Sequence, residues 1–438
     1  MARSGTSKRP PDTAPEAPAD DPAAFVSAKD AAQLLRIKPQ TLYAYVSRGW
    51  IHSIGHDKRR GYLYLRDDVE RLRSRGHAKA EGSTYKGGSP RWSEPIVQTS
   101  ITTITPAGPS YRGHSALELA RQNQSFESVA EMLWSGVWND DPGRWPALAG
   151  SVALDALAAL EHAQTDKPDF VKLVALYVMS LAAQPSGGDD LREGNTVVAA
   201  RMLLSALPGC FGFLARKRRF CRPMASIEGP QATLAAGIVE CAGIPKSGAA
   251  RDALNAALVL LADHELTPQT FAARLAASSG ASLYFCLVSA LSAHSGSRIR
   301  RACDKVEDLL IAAQANRGSR HRPKEPDKPL RAMPGFNHPL YPNGDPRALY
   351  LLELARNLNP ESRSAAAASE LVDEFASELG LQPSVEVGLV ALCQALKMPY
   401  RSAGAILTVA RSAGWIAHVI EQRLAGMMLR PRARYLAG

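Results

Sequence analysis

Histidines and arginines recur beside apolar stretches in the C-terminal half of this 438-residue chain. His264 lies between acids after the apolar run ALNAALVLL, and His294 lies between an apolar stretch and a small-residue turn. His338 belongs to the proline- and glycine-rich segment MPGFNHPLYPNGDPRALY, in which an Asp-Pro-Arg triplet ends at Arg347. Taken singly, such residues are usually hydrogen-bonded core or solvated surface. Together they predict a cavity for a small molecule with more than one carboxylate, because guanidinium groups bind carboxylates through paired hydrogen bonds.

The elements that must position these residues are predicted to be helices. Alanine and leucine are frequent, aromatic residues are few, and helical periodicity dominates from residue 96 onward. Arg411 and His418 are embedded in one such stretch, VARSAGWIAHVIEQ, and the terminal LRPRARYLAG contains Arg430. Strand-like alternation is confined to IVQTSITTI. The fold class is therefore expected to be all-α.

Composition restricts the class of protein further. We expect no membrane partner, because no run approaches the roughly 20 apolar residues of a membrane span. Residues 1–22 lack the apolar core of a signal peptide and are predicted to be a disordered tail, which favours a cytoplasmic location. The six cysteines form no Cys-x-x-Cys pair, so reduced, buried thiols are expected. We predict neither a metal nor a cofactor.

A small basic module is predicted at residues 23–77. Ser27 and Asp30 form a capping pair at the start of one helix, Pro39 suits the first turn of a second, and HDKRRGYLY reads as a basic hairpin. This outline resembles the winged helix-turn-helix of the mercury-resistance-regulator (MerR) and excisionase type. Residues 78–95, rich in glycine, serine and proline, are predicted to be a linker.

That resemblance implies contacts with DNA. Residues 1–91 contain 17 lysines and arginines against 10 acids, a net charge of +7 that favours a polyanion partner. The alternative is that the module docks a protein and its arginines are a solvated face. The implied contacts are Lys38, Gln40, Thr41, Tyr43 and Arg48 in or near the major groove, with Lys58, Arg59 and Arg60 on phosphate from the wing.

Residues 96–438 resemble the citrate synthase family. Six motifs follow in that family's order: YRGHSALELA with SFESVAEMLWSGVW, ADHE, a histidine before a small-residue turn, PGFNHPLYPNGDPRA, ARSAGWIAH and RPRARYLAG. The resemblance implies a two-domain helical fold, with a large domain over 96–294 and 395–438 and a small domain over 295–394. It also implies a homodimer that condenses acetyl-CoA, a co-substrate, with oxaloacetate.

The resemblance further implies a role for each candidate residue. Deprotonating the methyl group of a thioester requires a base at carbon and a donor at the oxygen where charge develops, and condensation requires a second donor on the ketone. In these terms Glu386 is the base, His294 polarises the thioester carbonyl, and His338 donates to the ketone oxygen. The substrate-binding residues would be His264, Arg347, Arg411 and, from the partner subunit, Arg430.

Three positions depart from the family's pattern. Glu386 stands where the family usually has aspartate, and a displacement of about 1 Å can cost on the order of 100-fold in rate. The alternative is that Glu386 is simply a first-turn acid of its helix. His294 is surrounded by Ser292, Ala293, Ser295 and Gly296 instead of the family's Gly-Pro-Leu-His-Gly-Gly pattern, which puts CoA binding in doubt. Asn337 replaces a glycine before His338.

Two functions therefore compete. The favoured one is condensation of acetyl-CoA with oxaloacetate to citrate and CoA, with 2-methylcitrate synthesis from propionyl-CoA as a close variant. The alternative is a DNA-binding transcriptional regulator whose citrate synthase-like body senses a di- or tricarboxylate.

Overall fold

The computed structural model describes residues 25–35, 42, 51, 53–55, 62–66, 69, 97–143, 145, 169–183, 195–216, 218–221, 233–315, 333–360 and 363–430. They belong to two compact units, Met1–Glu94 and Pro95–Gly438. The predicted tail and linker lie outside the described residues. So do the residues predicted to contact DNA, namely Lys38, Gln40, Thr41, Tyr43, Arg48, Lys58, Arg59 and Arg60.

The N-terminal unit contains a three-stranded antiparallel sheet and a helix. Its elements are β1 (Phe25–Ser27), α1 (Ala28–Leu35), β2 (Ser53–Gly55) and β3 (Tyr62–Leu65), with strand order β1-β3-β2. The predicted capping pair forms, because the Asp30 N–H donates to Ser27 Oγ over 3.2 Å. Strands β2 and β3 pair antiparallel, as a hairpin requires, and residues 56–61 of the predicted basic hairpin lie outside the described residues. A small apolar core includes Ala31, Leu42, Ile51, Tyr64 and Val69.

The C-terminal unit begins with a second antiparallel sheet. Its strands are β4 (Thr102–Thr105), β5 (Gly108–Tyr111) and β6 (His114–Ser115), in sequence order. The strand-like pattern in IVQTSITTI supplies β4. The other two strands lack alternation, because the sequence GPSYRGHS is broken by glycine and proline, and they were not predicted.

Helices make up most of the remaining described chain. They are α2 (Ala116–Arg121), α3 (Phe126–Ser135), α4 (Phe170–Ala182), α5 (Asn195–Ala206), α6 (Phe211–Leu214), α7 (Leu234–Ala242), α8 (Gly248–Leu261), α9 (Pro268–Ser278), α10 (Leu283–Ser295), α11 (Arg298–Ala315), α12 (Pro346–Leu358), α13 (Arg363–Leu379), α14 (Val385–Ala395) and α15 (Ser402–Ala425), with a 3-10 helix at Leu207–Cys210.

Helix α15 runs through the core and packs against α9, α3, α8, α10 and α11. This 24-residue helix and the stretch Asn195–Leu214 are long and apolar enough to cross a membrane, which contradicts the expectation that no such run exists. However, 94% of the apolar window of α15 and 72% of that of the other stretch are buried inside the fold. Their apolar character therefore matches that of helices in a protein core.

Candidate active site

The segment that contains His338 is hydrogen-bonded to the residues at the start of α14. The Ser384 N–H donates to the Gly335 carbonyl over 2.8 Å, and the Asn337 N–H donates to the Gln382 carbonyl over 2.8 Å. In return the Gln382 N–H donates to Asn337 Oδ1 over 2.9 Å. Because α14 contains Glu386 in its first turn, these bonds fix the loop of His338 against the helix of Glu386.

Asn337 has a left-handed backbone conformation, with φ of +53°. Glycine adopts this region without cost, and asparagine is among the few other residues that tolerate it. Asparagine is therefore compatible with a backbone conformation that glycine would also adopt. It also adds the side-chain hydrogen bond to Gln382, which glycine cannot make.

His264, His338 and Tyr341 form an aromatic cluster beside Arg347. The ring centroids of the two histidines are 5.6 Å apart, and those of His338 and Tyr341 are 5.1 Å apart. His264 Nε2 lies 3.3 Å from both the Tyr341 hydroxyl and Arg347 Nη2. A guanidinium can only donate, so Nε2 is the acceptor and the ring proton is on Nδ1. Burial and the charge of Arg347 hold the pKa of His264 well below its usual value.

Arg347 is anchored by the N-cap of its own helix. Asp345 caps α12, and its carboxylate accepts from Arg347 Nε over 3.0 Å and from Nη2 over 2.8 Å. Both side chains are essentially fully buried. Burial acts to lower the pKa of Arg347, but the Asp345 carboxylate outweighs it and the pKa is raised. Nη1 is buried without a hydrogen-bond partner in the described structure.

Arg411 supplies a second buried guanidinium from α15, and its Nη1 likewise has no hydrogen-bond partner among the described residues. Burial lowers the pKa of Arg411, and the positive charge of Arg347 acts in the same direction, while Asp263 opposes both. Asp345 and Asp263 offset part of the charge of the two guanidiniums, but each guanidinium keeps a buried Nη1 donor without a partner among the described residues. Because guanidinium donors bind carboxylates, Arg347 and Arg411 together suit a ligand with two carboxylates.

His338 is a neutral hydrogen-bond donor in this geometry. Its Nδ1 accepts the Leu340 N–H over 3.2 Å, so the proton of the neutral ring is on Nε2. Burial, followed by the charge of Arg347, lowers the pKa of His338 to about 4. At neutral pH the ring can donate from Nε2 without being charged.

His294 lies in the last turn of α10, and both of its ring nitrogens face hydroxyl groups. Nε2 is 3.2 Å from Thr408 Oγ1, and Nδ1 is 3.4 Å from Ser297 Oγ. Because the Thr408 hydroxyl donates to the Gly404 carbonyl, its oxygen accepts from Nε2. Burial and the charges of Arg411 and Arg300 lower the pKa of His294 to about 3, so this ring is neutral too.

Glu386 is a buried acid at the second position of α14. Its Oε2 has no hydrogen-bond partner within the described chain. Burial raises the pKa of Glu386 to about 7, and the charge of Asp345 adds to the effect while that of Arg347 opposes it. A first-turn acid that serves only its helix is normally solvated and stabilised in its charged form. Glu386 differs from such an acid on both counts.

The sequence-predicted residues are not all brought together. His264, His338 and Arg347 are in contact, and Arg411 and Glu386 both interact electrostatically with Arg347. His294 is linked to this group through the charge of Arg411. Arg430 lies beyond α15 and is exposed, so its contribution across a subunit interface stays a prediction.

Tyr341, Asp345 and Thr408 were missed from the sequence. Asp345 could have been found as the acid of the Asp-Pro-Arg triplet, at the position of a helix N-cap. Thr408 lies three residues before Arg411, on the same face of a helix. Tyr341 offers no such signal, because its partner His264 is 77 residues away.

Comparison with known proteins shows which families the two units of this chain match. Residues 91–432 match the family model described as "Citrate synthase, C-terminal domain", and residues 25–77 match one described as "Helix-turn-helix domain". Citrate synthase 2 of Bacillus subtilis is 28% identical over 359 residues, covering 78% of this chain and 94% of that protein. The 2-methylcitrate synthase of Mycobacterium tuberculosis is 27% identical, covering 78% and 88%.

Solved structures agree in fold. Citrate synthase of Thermoplasma acidophilum, in a ternary complex with carboxymethyl coenzyme A and oxaloacetate, matches with a TM-score of 0.64 and 20% identity, over 79% of this chain and 95% of that one. Citrate synthase of Thermotoga maritima matches with a TM-score of 0.62 and 24% identity, over 79% and 94%.

Proposed function

The chain belongs to the citrate synthase family, and we propose that it condenses acetyl-CoA with oxaloacetate to give citrate and free CoA. The observation that carries the proposal is the pair of buried guanidiniums, Arg347 and Arg411, whose Nη1 atoms have no partner in the described chain. Beside them lie neutral imidazoles and a buried carboxylate of raised pKa. This set matches the demands of a dicarboxylate electrophile and a weakly acidic carbon.

Oxaloacetate binding uses the two arginines. One carboxylate accepts from Arg347 and the other from Arg411, so each carboxylate binds an Nη1 donor that has no partner in the described chain. Asp345 holds Arg347 in a fixed orientation through two hydrogen bonds, which reduces the entropy lost when the substrate binds. The ketone of the bound substrate then faces the histidine cluster.

Enol formation uses Glu386 and His294. Glu386 takes a proton from the methyl group of acetyl-CoA, and negative charge develops on the thioester oxygen. The one ring N–H of His294, on Nε2, leaves Thr408 Oγ1 and donates to that oxygen instead, which lowers the barrier where the charge appears. The raised pKa of Glu386 makes its carboxylate a stronger base than an ordinary glutamate.

Condensation follows at the ketone. The enol carbon attacks the carbonyl carbon of oxaloacetate, and Nε2–H of His338 donates to the oxygen that becomes a hydroxyl. The product is citryl-CoA, and water then cleaves its thioester to release citrate and CoA. Propionyl-CoA would react in the same way to give 2-methylcitrate, and the residues described so far do not distinguish the two acyl groups.

The experiment is an assay of thiol release from acetyl-CoA or propionyl-CoA in the presence of oxaloacetate. We expect release that requires oxaloacetate and that falls by on the order of 100-fold or more in His338→Ala. The ratio of kcat/KM for the two acyl-CoA substrates assigns the preference. Release no faster than in His338→Ala would refute the proposal.

A second function is supported by the helix-turn-helix match at residues 25–77 and by the net charge of +7 over residues 1–91. We propose that the N-terminal module binds DNA. Affinity should then fall steeply as salt rises, because lysines and arginines displace counterions from phosphate. Fluorescence anisotropy with duplex DNA at two salt concentrations tests this, and affinity that is absent or independent of salt would contradict it.

A further inference from the structure

The turn that presents His264 is docked onto α15 at a glycine. The Gly414 N–H donates to the Ala262 carbonyl over 3.0 Å. A Cβ atom at position 414 would lie 2.2 Å from Asp263 Oδ1 and 2.6 Å from the Ala262 oxygen. Only glycine therefore allows the turn to approach the helix this closely.

The side chain of Asp263 forms a hydrogen bond within this turn. Its side chain is fully buried, and Oδ2 accepts the Glu265 N–H over 3.0 Å. Glu265 has a left-handed conformation, with φ of +59°. The buried Tyr111 hydroxyl shares its one proton between the Leu260 and Asp263 carbonyls, which are 3.1 Å and 3.3 Å away. These bonds fix the backbone on both sides of His264.

His418 holds the carboxylate of Asp263 from α15. His418 Nε2 lies 3.4 Å from Asp263 Oδ2, and both side chains are fully buried. On the other side of the ring, Nδ1 lies 3.5 Å from Arg274 Nη1. Arginine cannot accept, so Nδ1 is the acceptor and the Nε2 proton is directed at Asp263.

The far end of this network is fixed as well. Arg274 donates to Gln422 Oε1 over 3.0 Å and to Glu421 Oε2 over 2.7 Å. Glu421 in turn accepts from both the backbone N–H and the hydroxyl of Ser100. Arg274 and Glu421 therefore balance each other's charge and keep the His418 ring in one orientation.

Asp263 also stabilises the charge of Arg411, the second guanidinium of the site. Burial acts to raise the pKa of Asp263, but His418 and Arg411 outweigh it and hold the pKa below its usual value, so the group is ionised. Its charge stabilises that of Arg411 against the repulsion of Arg347. Asp263 thus acts on both His264 and Arg411.

We propose that Asp263 and His418 are positioning residues for oxaloacetate, which hold the His264 turn and Arg411 ready for the substrate. This inference rests on the proposed function, because it concerns the dicarboxylate of the same site. Neither residue needs to touch the substrate. Their effect on binding is exerted through His264 and Arg411.

The test compares variants of His418. His418→Leu removes the donor to Asp263, whereas His418→Gln keeps an amide N–H near the position of Nε2. We expect the KM for oxaloacetate to rise roughly tenfold to 100-fold in His418→Leu, the range for losing a hydrogen bond to a charged group. The KM for acyl-CoA should change by less than about threefold, and His418→Gln should recover most of the loss.

Two more variants make the result decisive. Asp263→Asn keeps the shape and removes the charge, so it should weaken oxaloacetate binding even if His418→Leu fails to fold. Ser412→Ala, on the same helix, removes a buried hydroxyl that donates to the Thr408 carbonyl, and should leave oxaloacetate binding unchanged. Equal losses for oxaloacetate and acyl-CoA, or no loss for oxaloacetate, would overturn the proposal.

Calorimetric titration of oxaloacetate keeps this test separate from turnover. A wild-type protein that binds oxaloacetate but releases no thiol would refute the proposed reaction, while the variants still report on positioning through affinity alone. Weaker binding in His418→Leu and Asp263→Asn, but not in Ser412→Ala, would then support the inference. A wild type that binds no oxaloacetate would overturn both proposals.

Discussion

Replacing Glu386 with glutamine should make the protein more stable and less active. Burial raises the pKa of Glu386 from 4.5 to about 7. At 1.36 kcal/mol for each pKa unit, ionising this carboxylate costs the folded state about 3 kcal/mol. The cost is absent below pH 4.5, where the group is protonated in folded and unfolded chains, and it is complete above pH 7. Glu386→Gln should therefore gain about 3 kcal/mol in free energy of unfolding at pH 8 and less than about 1 kcal/mol at pH 5.

Activity should change in the opposite direction. With a pKa of about 7, the ionised fraction of Glu386 is about one tenth at pH 6 and about nine tenths at pH 8. The value of kcat/KM in the wild type should rise roughly tenfold over that range. His294 and His338, with pKa values of about 3 and 4, do not titrate there. In Glu386→Gln we expect kcat to fall by about 100-fold to 10,000-fold.

The assays are thiol release between pH 6 and 8 and urea denaturation at pH 5 and 8. Glu118→Gln, at an exposed carboxylate of α2, is the matched control and should show neither effect. A flat pH profile in the wild type would refute the assignment of Glu386 as the base. A gain in stability of equal size at both pH values would refute the argument from burial.

Three further substitutions test the geometry of the site. Arg411→Lys keeps the positive charge but loses the forked guanidinium donor, so the KM for oxaloacetate in the thiol-release assay should rise roughly tenfold to 100-fold. An unchanged KM would show that Arg411 does not bind oxaloacetate. Gly414→Ala places a Cβ 2.2 Å from Asp263 Oδ1 and should lower the free energy of unfolding by about 1–3 kcal/mol. In the control Gly404→Ala, on the same helix, the new Cβ would lie 3.6 Å from its nearest neighbouring atom, and the cost should be less than about 1 kcal/mol. Similar urea midpoints for the two variants would contradict this prediction. Asn337→Ala should destabilise the chain by about 1–2 kcal/mol more than Asn337→Gly, because both variants lose the hydrogen bond to Gln382 but only alanine is strained by the left-handed backbone. Urea midpoints that are equal for the two variants would refute this argument.

The sequence was sufficient for features that depend on local pattern. The helical period predicted the helix of Arg411, and the small residues after His294 predicted the turn that precedes α11. The capping pair of Ser27 and Asp30 predicted the start of α1. In each case the residues that form the feature are neighbours in the chain, so their spacing alone carries the information.

Features that depend on tertiary contacts could not be predicted in this way. Tyr341 meets His264 across 77 residues, and His418 meets Asp263 across 155. Strand β5 is formed by pairing with β4 rather than by its own alternation. The pKa of Glu386 likewise follows from burial, which the spacing of residues along one helix does not determine.

Asn337 and Glu386 look like independent departures from the family's pattern when only the sequence is considered. In the structure one short segment connects them. Asn337 is hydrogen-bonded to Gln382, and four residues later the chain reaches Glu386 in the first turn of α14. The asparagine is compatible with the left-handed backbone that glycine would also adopt and adds a bond to the segment that precedes Glu386. The two departures therefore lie on one connected segment. Residues joined in this way commonly show non-additive effects when both are replaced, so Asn337 and Glu386 should be tested together as well as singly.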